Sequence, residues 1–90
     1  MTNVYYRNSS IEASPLHGES LLFDPVTNRF CLLNQTASFV WEQLAEPVSE
    51  EALTAAVCRE FDVPEPAQVA DDVRQTLRRF EELALVAIAA

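Results

Sequence analysis

From Arg29 to Trp41 the chain changes its period. Arg29-Phe30-Cys31-Leu32-Leu33 is a short apolar run of strand length, whereas beyond Asn34 the apolar residues Ala37, Val40, Trp41 and Leu44 recur at helical spacing. Asn34 stands at the junction, where its side-chain oxygen can accept from the amides of a first helical turn. A strand running straight into a helix is the strongest constraint on the fold, and the flanking segments are read around it.

Upstream, Ser20-Leu21-Leu22-Phe23 is a second apolar run, closed by Asp24-Pro25. The intervening Asp24-Pro25-Val26-Thr27-Asn28 has hairpin-loop length, and Asn28 suits a left-handed residue just before a strand resumes. Residues 20–24 and 29–33 are therefore expected to form an antiparallel hairpin. Ile11-Glu12-Ala13 alternates weakly as a short first strand, and Pro15 and Gly18 mark the turn after it. The opening segment, with Tyr5 and Tyr6 before the polar Arg7-Asn8-Ser9-Ser10, reads as a tail or an edge segment.

Downstream, Pro47 ends the first helix and Ser49 caps a second, with Glu50 and Glu51 where the helix dipole favours negative charge. Leu53, Ala56, Val57 and Phe61 make its buried face, and Val63-Pro64 closes it. Pro66 opens a third helix, whose Val69, Val73, Leu77, Phe80 and Ala84 give the cleanest helical period in the chain. From 66 to 84 this helix would span roughly 28 Å. The apolar end, Leu85 to Ala90, packs or frays. Strands followed by helices argue for an α+β domain, a three-stranded antiparallel sheet followed by three helices. Residues 1–90 are read as one domain, with no repeat and no linker.

Charge narrows the function. Six basic residues, none of them Lys, face 14 acidic ones, for a formal net charge of -8. The one basic cluster, Arg74, Arg78 and Arg79, is surrounded by Asp71, Asp72, Glu81 and Glu82. Nucleic acid and anionic membrane require a basic stripe and are not expected as partners. No apolar stretch approaches the roughly 20 residues that span a bilayer, and no targeting signal is recognised, so the expected compartment is the cytoplasm with both cysteines reduced.

Catalytic chemistry finds little support. His17, the single histidine, sits in a turn without partners. Cys31 and Cys58 belong to no CxxC or Cys/His cluster, and a nucleophilic Cys31 would need a base that no local signature supplies. Glu50-Glu51, Asp71-Asp72 and Glu81-Glu82 are adjacent pairs that do not share a helix face. One glycine in the whole chain excludes a glycine-rich phosphate loop. Trp41 reads as core, with a place in a ligand pocket as the alternative. No catalytic residue, metal ligand or cofactor is expected. The strand 29–33 is different, because no later strand covers it and it carries no charge after Arg29. An edge of that kind aggregates or takes a partner strand.

The ordered run from Leu22-Phe23-Asp24-Pro25, through Asn28-Arg29-Phe30, to Leu33-Asn34-Gln35-Thr36-Ala37 and Trp41 resembles the centre of PqqD-like proteins, also called RiPP recognition elements. The Glu-Glu-Ala-Leu opening of the second helix, Phe61-Asp62-Val63 and the helix from Asp71-Asp72-Val73 to Leu83 fit as well, so that the likeness covers roughly residues 5–86. It implies a winged-helix-like βββααα domain that binds the leader segment of a ribosomally made precursor peptide. The leader would be an added strand in a groove bounded by the third helix, and the domain would deliver it to a radical SAM enzyme, a protease or a cyclase.

Carried onto this chain, the resemblance implies a peptide site formed by Arg29, Phe30, Cys31, Leu32 and Leu33, with Asp72, Val73, Thr76, Leu77 and Arg79 as candidates for the helical wall. Leu33 is expected in the core, and Arg29, Arg74, Arg78 and Arg79 are placed to meet acidic leader residues. The same edge is also able to pair with a second copy of the chain. The fold order leaves a winged-helix DNA-binding regulator as the alternative. Asn28 stands where the family usually has Gly, and Ala84 replaces a common glycine, which is expected to extend the third helix by a turn.

Overall fold

The computed structural model describes residues 3–61 and 66–89. Two three-stranded antiparallel sheets and three helices make up the described chain. The first sheet is built from β2 (Glu12–Leu16), β3 (Glu19–Asp24) and β4 (Arg29–Leu33), in that spatial order. Leu16 pairs with Glu19, so His17 and Gly18 alone form the turn between β2 and β3, with φ of 50° and 85°. Positive φ at both central residues matches the right-handed twist of the flanking strands. Pro15 lies within β2, an edge strand, where its missing amide breaks no ladder bond.

Asp24 pairs with Arg29 across the second hairpin. Its carboxylate accepts from the Val26 amide at 2.9 Å and its carbonyl from the Asn28 amide at 2.7 Å. Asn28 takes the expected left-handed conformation, with φ 60°.

Helix α1 (Gln35–Gln43) starts where the Asn34 side chain accepts from the Ala37 amide at 2.8 Å. Helix α2 (Glu50–Phe61) starts where the Ser49 hydroxyl accepts from the Ala52 amide at 3.1 Å. Its expected closure at Val63-Pro64 lies outside the described residues. Helix α3 runs from Pro66 to Glu82. The core joins Leu22 and Leu33 of the sheet, Val40, Trp41 and Leu44 of the α1 segment, Leu53 and Val57 of α2, and Val69, Val73, Leu77 and Phe80 of α3. Trp41 meets Phe80 edge-to-face, with centroids 6.1 Å apart, and a buried hydroxyl pair, Ser20 and Ser38, ties β3 to α1.

The expected order βββααα is incomplete. A second sheet places β1 (Val4–Arg7) between β5 (Val48–Ser49) and β6 (Val86–Ala89). The opening segment is thus a central strand, and Leu85 to Ala89 neither frays nor stays irregular, because Tyr5 pairs with Ile88 and Arg7 with Val86. Ala84 also departs from expectation. It does not extend α3 but adopts φ 58° just beyond it, with Ala84 N–H donating to Glu81 O at 3.0 Å and Leu85 N–H to Phe80 O at 2.8 Å. This pair of bonds is the usual glycine-type helix stop, formed here by alanine.

Candidate functional site

Among the described residues strand β4 pairs only with β3, so alternate amides and carbonyls along its other side have no strand partner there. The period of two divides its side chains. Cys31 and Leu33 turn toward the interior, half-buried and buried, while Phe30 and Leu32 are 67% and 61% exposed. The Phe30 ring stacks against Phe23 across the hairpin at 4.7 Å.

Two hollows lie between this edge and α3. The larger, about 270 Å³, includes Arg29, Phe30 and Cys31 on the strand side and Arg79, Glu82 and Leu83 on the other. The second, about 150 Å³, continues along Cys31, Leu32 and Leu33 toward Thr76, Arg79 and Leu83. Thr76, Arg79 and Leu83 are spaced by three and four residues and so share one helix face. The Thr76 hydroxyl donates to Asp72 O at 2.9 Å, which holds the side chain against its own helix.

The positions weighed from the sequence separate into groups. Arg29, Phe30, Cys31, Leu32, Thr76 and Arg79 line the two hollows. Leu33 is in the core as expected, at 4% exposure. Val73 and Leu77 are core residues, 2% and 1% exposed, and leave the helical wall, because their stripe is the one that packs inward. Asp72 is exposed and lies beside a different hollow, with Thr36, Phe61 and Gln68. Arg74 faces Glu50 of α2 at 3.7 Å. Leu83 was absent from the sequence-derived set. The signal was available, since it stands four residues beyond Arg79 and seven beyond Thr76.

Among the described residues no cluster of three or more His, Cys, Asp or Glu could hold a metal ion, and no helix is long and apolar enough to cross a membrane. Both cysteines are free.

Fold and groove together define a small mixed α/β module with an open strand edge facing a helix. A sequence profile of the family described as coenzyme PQQ synthesis protein D (PqqD) matches residues 19–86, and the chain belongs to that family. Among solved structures, TbiB1 in complex with the TbiA(beta) leader peptide is similar in fold, with a TM-score of 0.83 and 24% identity over 94% of this chain and 98% of that one. No curated protein matches the sequence.

Proposed function

We propose that this chain binds the leader segment of a ribosomally made precursor peptide and hands it to a modifying enzyme. The observation that carries the reading is the free edge of β4 opposite the Thr76–Arg79–Leu83 face of α3. A leader laid along β4 completes the unpaired main-chain groups and inserts alternate side chains into the hollows. Micromolar affinity requires about -8 kcal/mol. Main-chain pairing plus burial of two or three apolar side chains, at about 1.5–3 kcal/mol each, is of that order. Family membership and the likeness to a leader-bound protein support the reading.

The binding residues in this proposal are Arg29, Phe30, Cys31, Leu32, Thr76, Arg79 and Leu83, with Leu33 contributing its main chain. Arg29 and Arg79 meet acidic leader residues at the rim. The domain acts as a winged-helix-like accessory without chemistry of its own, in the cytoplasm, beside a radical SAM enzyme, protease or cyclase. The net charge of -8 speaks against DNA as the ligand. The test is fluorescence polarisation with labelled leaders of the precursor peptides encoded near the gene. Saturable binding is expected, and a folded protein that ignores every such leader would sink the proposal.

A further inference from the structure

A cavity larger than either hollow at β4 lies elsewhere in the described chain. It is a cleft of about 590 Å³ between the end of β1 and the end of the α1 segment, lined among others by Tyr6, Arg7, Ser9, Trp41 and Ala45. It shares no lining residue with either hollow at β4.

Its charge is unlike that of the molecule. The chain carries 14 acidic residues against six basic ones, yet none of the cleft's lining residues is acidic and one is Arg7. Arg7 is half-buried, its main chain is held by pairing with Val86, and its guanidinium lies 5.4 Å over the Trp41 ring. Among the described residues no carboxylate pairs with it; the ion pair present is Arg74 with Glu50. Trp41 is 2% exposed, and its indole Nε1 is buried without a hydrogen-bond partner among the described residues. The cleft therefore sets a cation without a carboxylate partner beside the apolar residues Ile11 and Pro47.

We propose that this cleft binds a carboxylate carried on an apolar body, with Arg7, held over the Trp41 ring, as its ion-pair partner. A guanidinium in a partly enclosed site is a strong carboxylate ligand, since it offers paired donors and is weakly hydrated. The volume exceeds what a bare anion fills, so the apolar body is part of the recognition. Two sources carry this chemistry: an acidic-apolar segment of another protein, and a free organic acid.

Trp41 is the single tryptophan, so its emission reports on the cleft directly. The full chain is titrated with 3-phenylpropionate, with the capped tripeptide Leu-Glu-Phe, and with its Leu-Gln-Phe analogue. Saturable emission changes are expected with the carboxylates, weakening at least about tenfold for the Gln analogue, with added salt, and in Arg7→Gln. Tighter binding of the tripeptide assigns the site to a protein segment; tighter binding of the free acid assigns it to a small molecule. Should Arg7→Gln fail to fold, Ser9→Glu decides, because Ser9 is an exposed lining residue and the added charge must repel the ligand. No saturable change up to about 10 mM of either carboxylate, equal binding of the Gln analogue, or unchanged affinity in Ser9→Glu overturns the proposal. Leader binding at β4 is unaffected by these variants, so the two readings fail separately.

Discussion

The side-chain amide of Asn8 donates to the carbonyl of Ala84 at 3.1 Å, across 76 residues of sequence. The Asn8 main-chain amide donates to Leu85 O at 2.8 Å, and its side-chain oxygen accepts from the Ser10 amide at 3.0 Å. One residue thus satisfies the end of α3, the entry to β6 and the turn after β1. Asn8→Ala removes both side-chain bonds and is expected to cost about 1–2 kcal/mol in urea unfolding. A midpoint unchanged within error would show that water replaces Asn8 without loss.

Ala84 holds a left-handed conformation, with φ 58°, at the helix stop. That geometry costs a residue with a Cβ roughly 1–2 kcal/mol, part of which glycine returns through its greater freedom when unfolded. Ala84→Gly is therefore expected to stabilise the fold by about 0.5–1 kcal/mol, an unusual sign for a glycine introduced beside a helix. Thermal unfolding at neutral pH checks it, and destabilisation would mean that the alanine methyl packs favourably.

Cys31 is half-buried and lines both hollows beside β4. A bulky maleimide attached to it, in a Cys58→Ala background, fills the space proposed for leader side chains. Leader affinity is expected to fall by more than about tenfold, or about 1.4 kcal/mol, without loss of folding. Leu83→Glu is expected to do the same from the opposite wall. Undiminished binding in both would move the ligand off this groove.

Tyr5 is 8% exposed, and its hydroxyl pKa is raised above the ordinary 10.0, by burial first and then by the charges of Glu81 and Glu50. A raised folded-state value means that the neutral phenol is favoured in the fold. Its stabilisation is complete below pH 10.0 and is lost as pH rises through the folded value. Unfolding free energy should therefore fall on the alkaline side, and Tyr5→Phe should flatten that fall. An identical alkaline slope in the variant would assign the effect to other groups.

The hairpin of β3 and β4, the caps at Asn34 and Ser49 and the core stripe of α3 were legible because each is local. Asp24 to Asn28 is a complete turn, and a cap needs only the amides of its own first turn. The second sheet was not legible. Val4–Arg7 is short and mixed, Val86–Ala89 alternates with alanine, and nothing nearby announces that they pair. The site was half legible for the same reason. Leu33 is core as expected, but Val73 and Leu77, candidates for the helical wall, belong to the core, and Leu83, which lines both hollows, is not among the candidates.

What the sequence by itself determined is what neighbouring residues decide: strand 29–33, its Asn34 switch into a helix, and the acidic balance that disfavours polyanionic partners. Only the tertiary structure decided that β4 remains an open edge facing Thr76, Arg79 and Leu83, and that Arg7 lies over Trp41 in an acid-free cleft. The physical reason is one of range. Periodicity, capping and turn chemistry act over a few bonds. Which face of α3 is left over for a ligand depends on how the core distributes Val69, Val73, Leu77 and Phe80 against the sheet and the other helices.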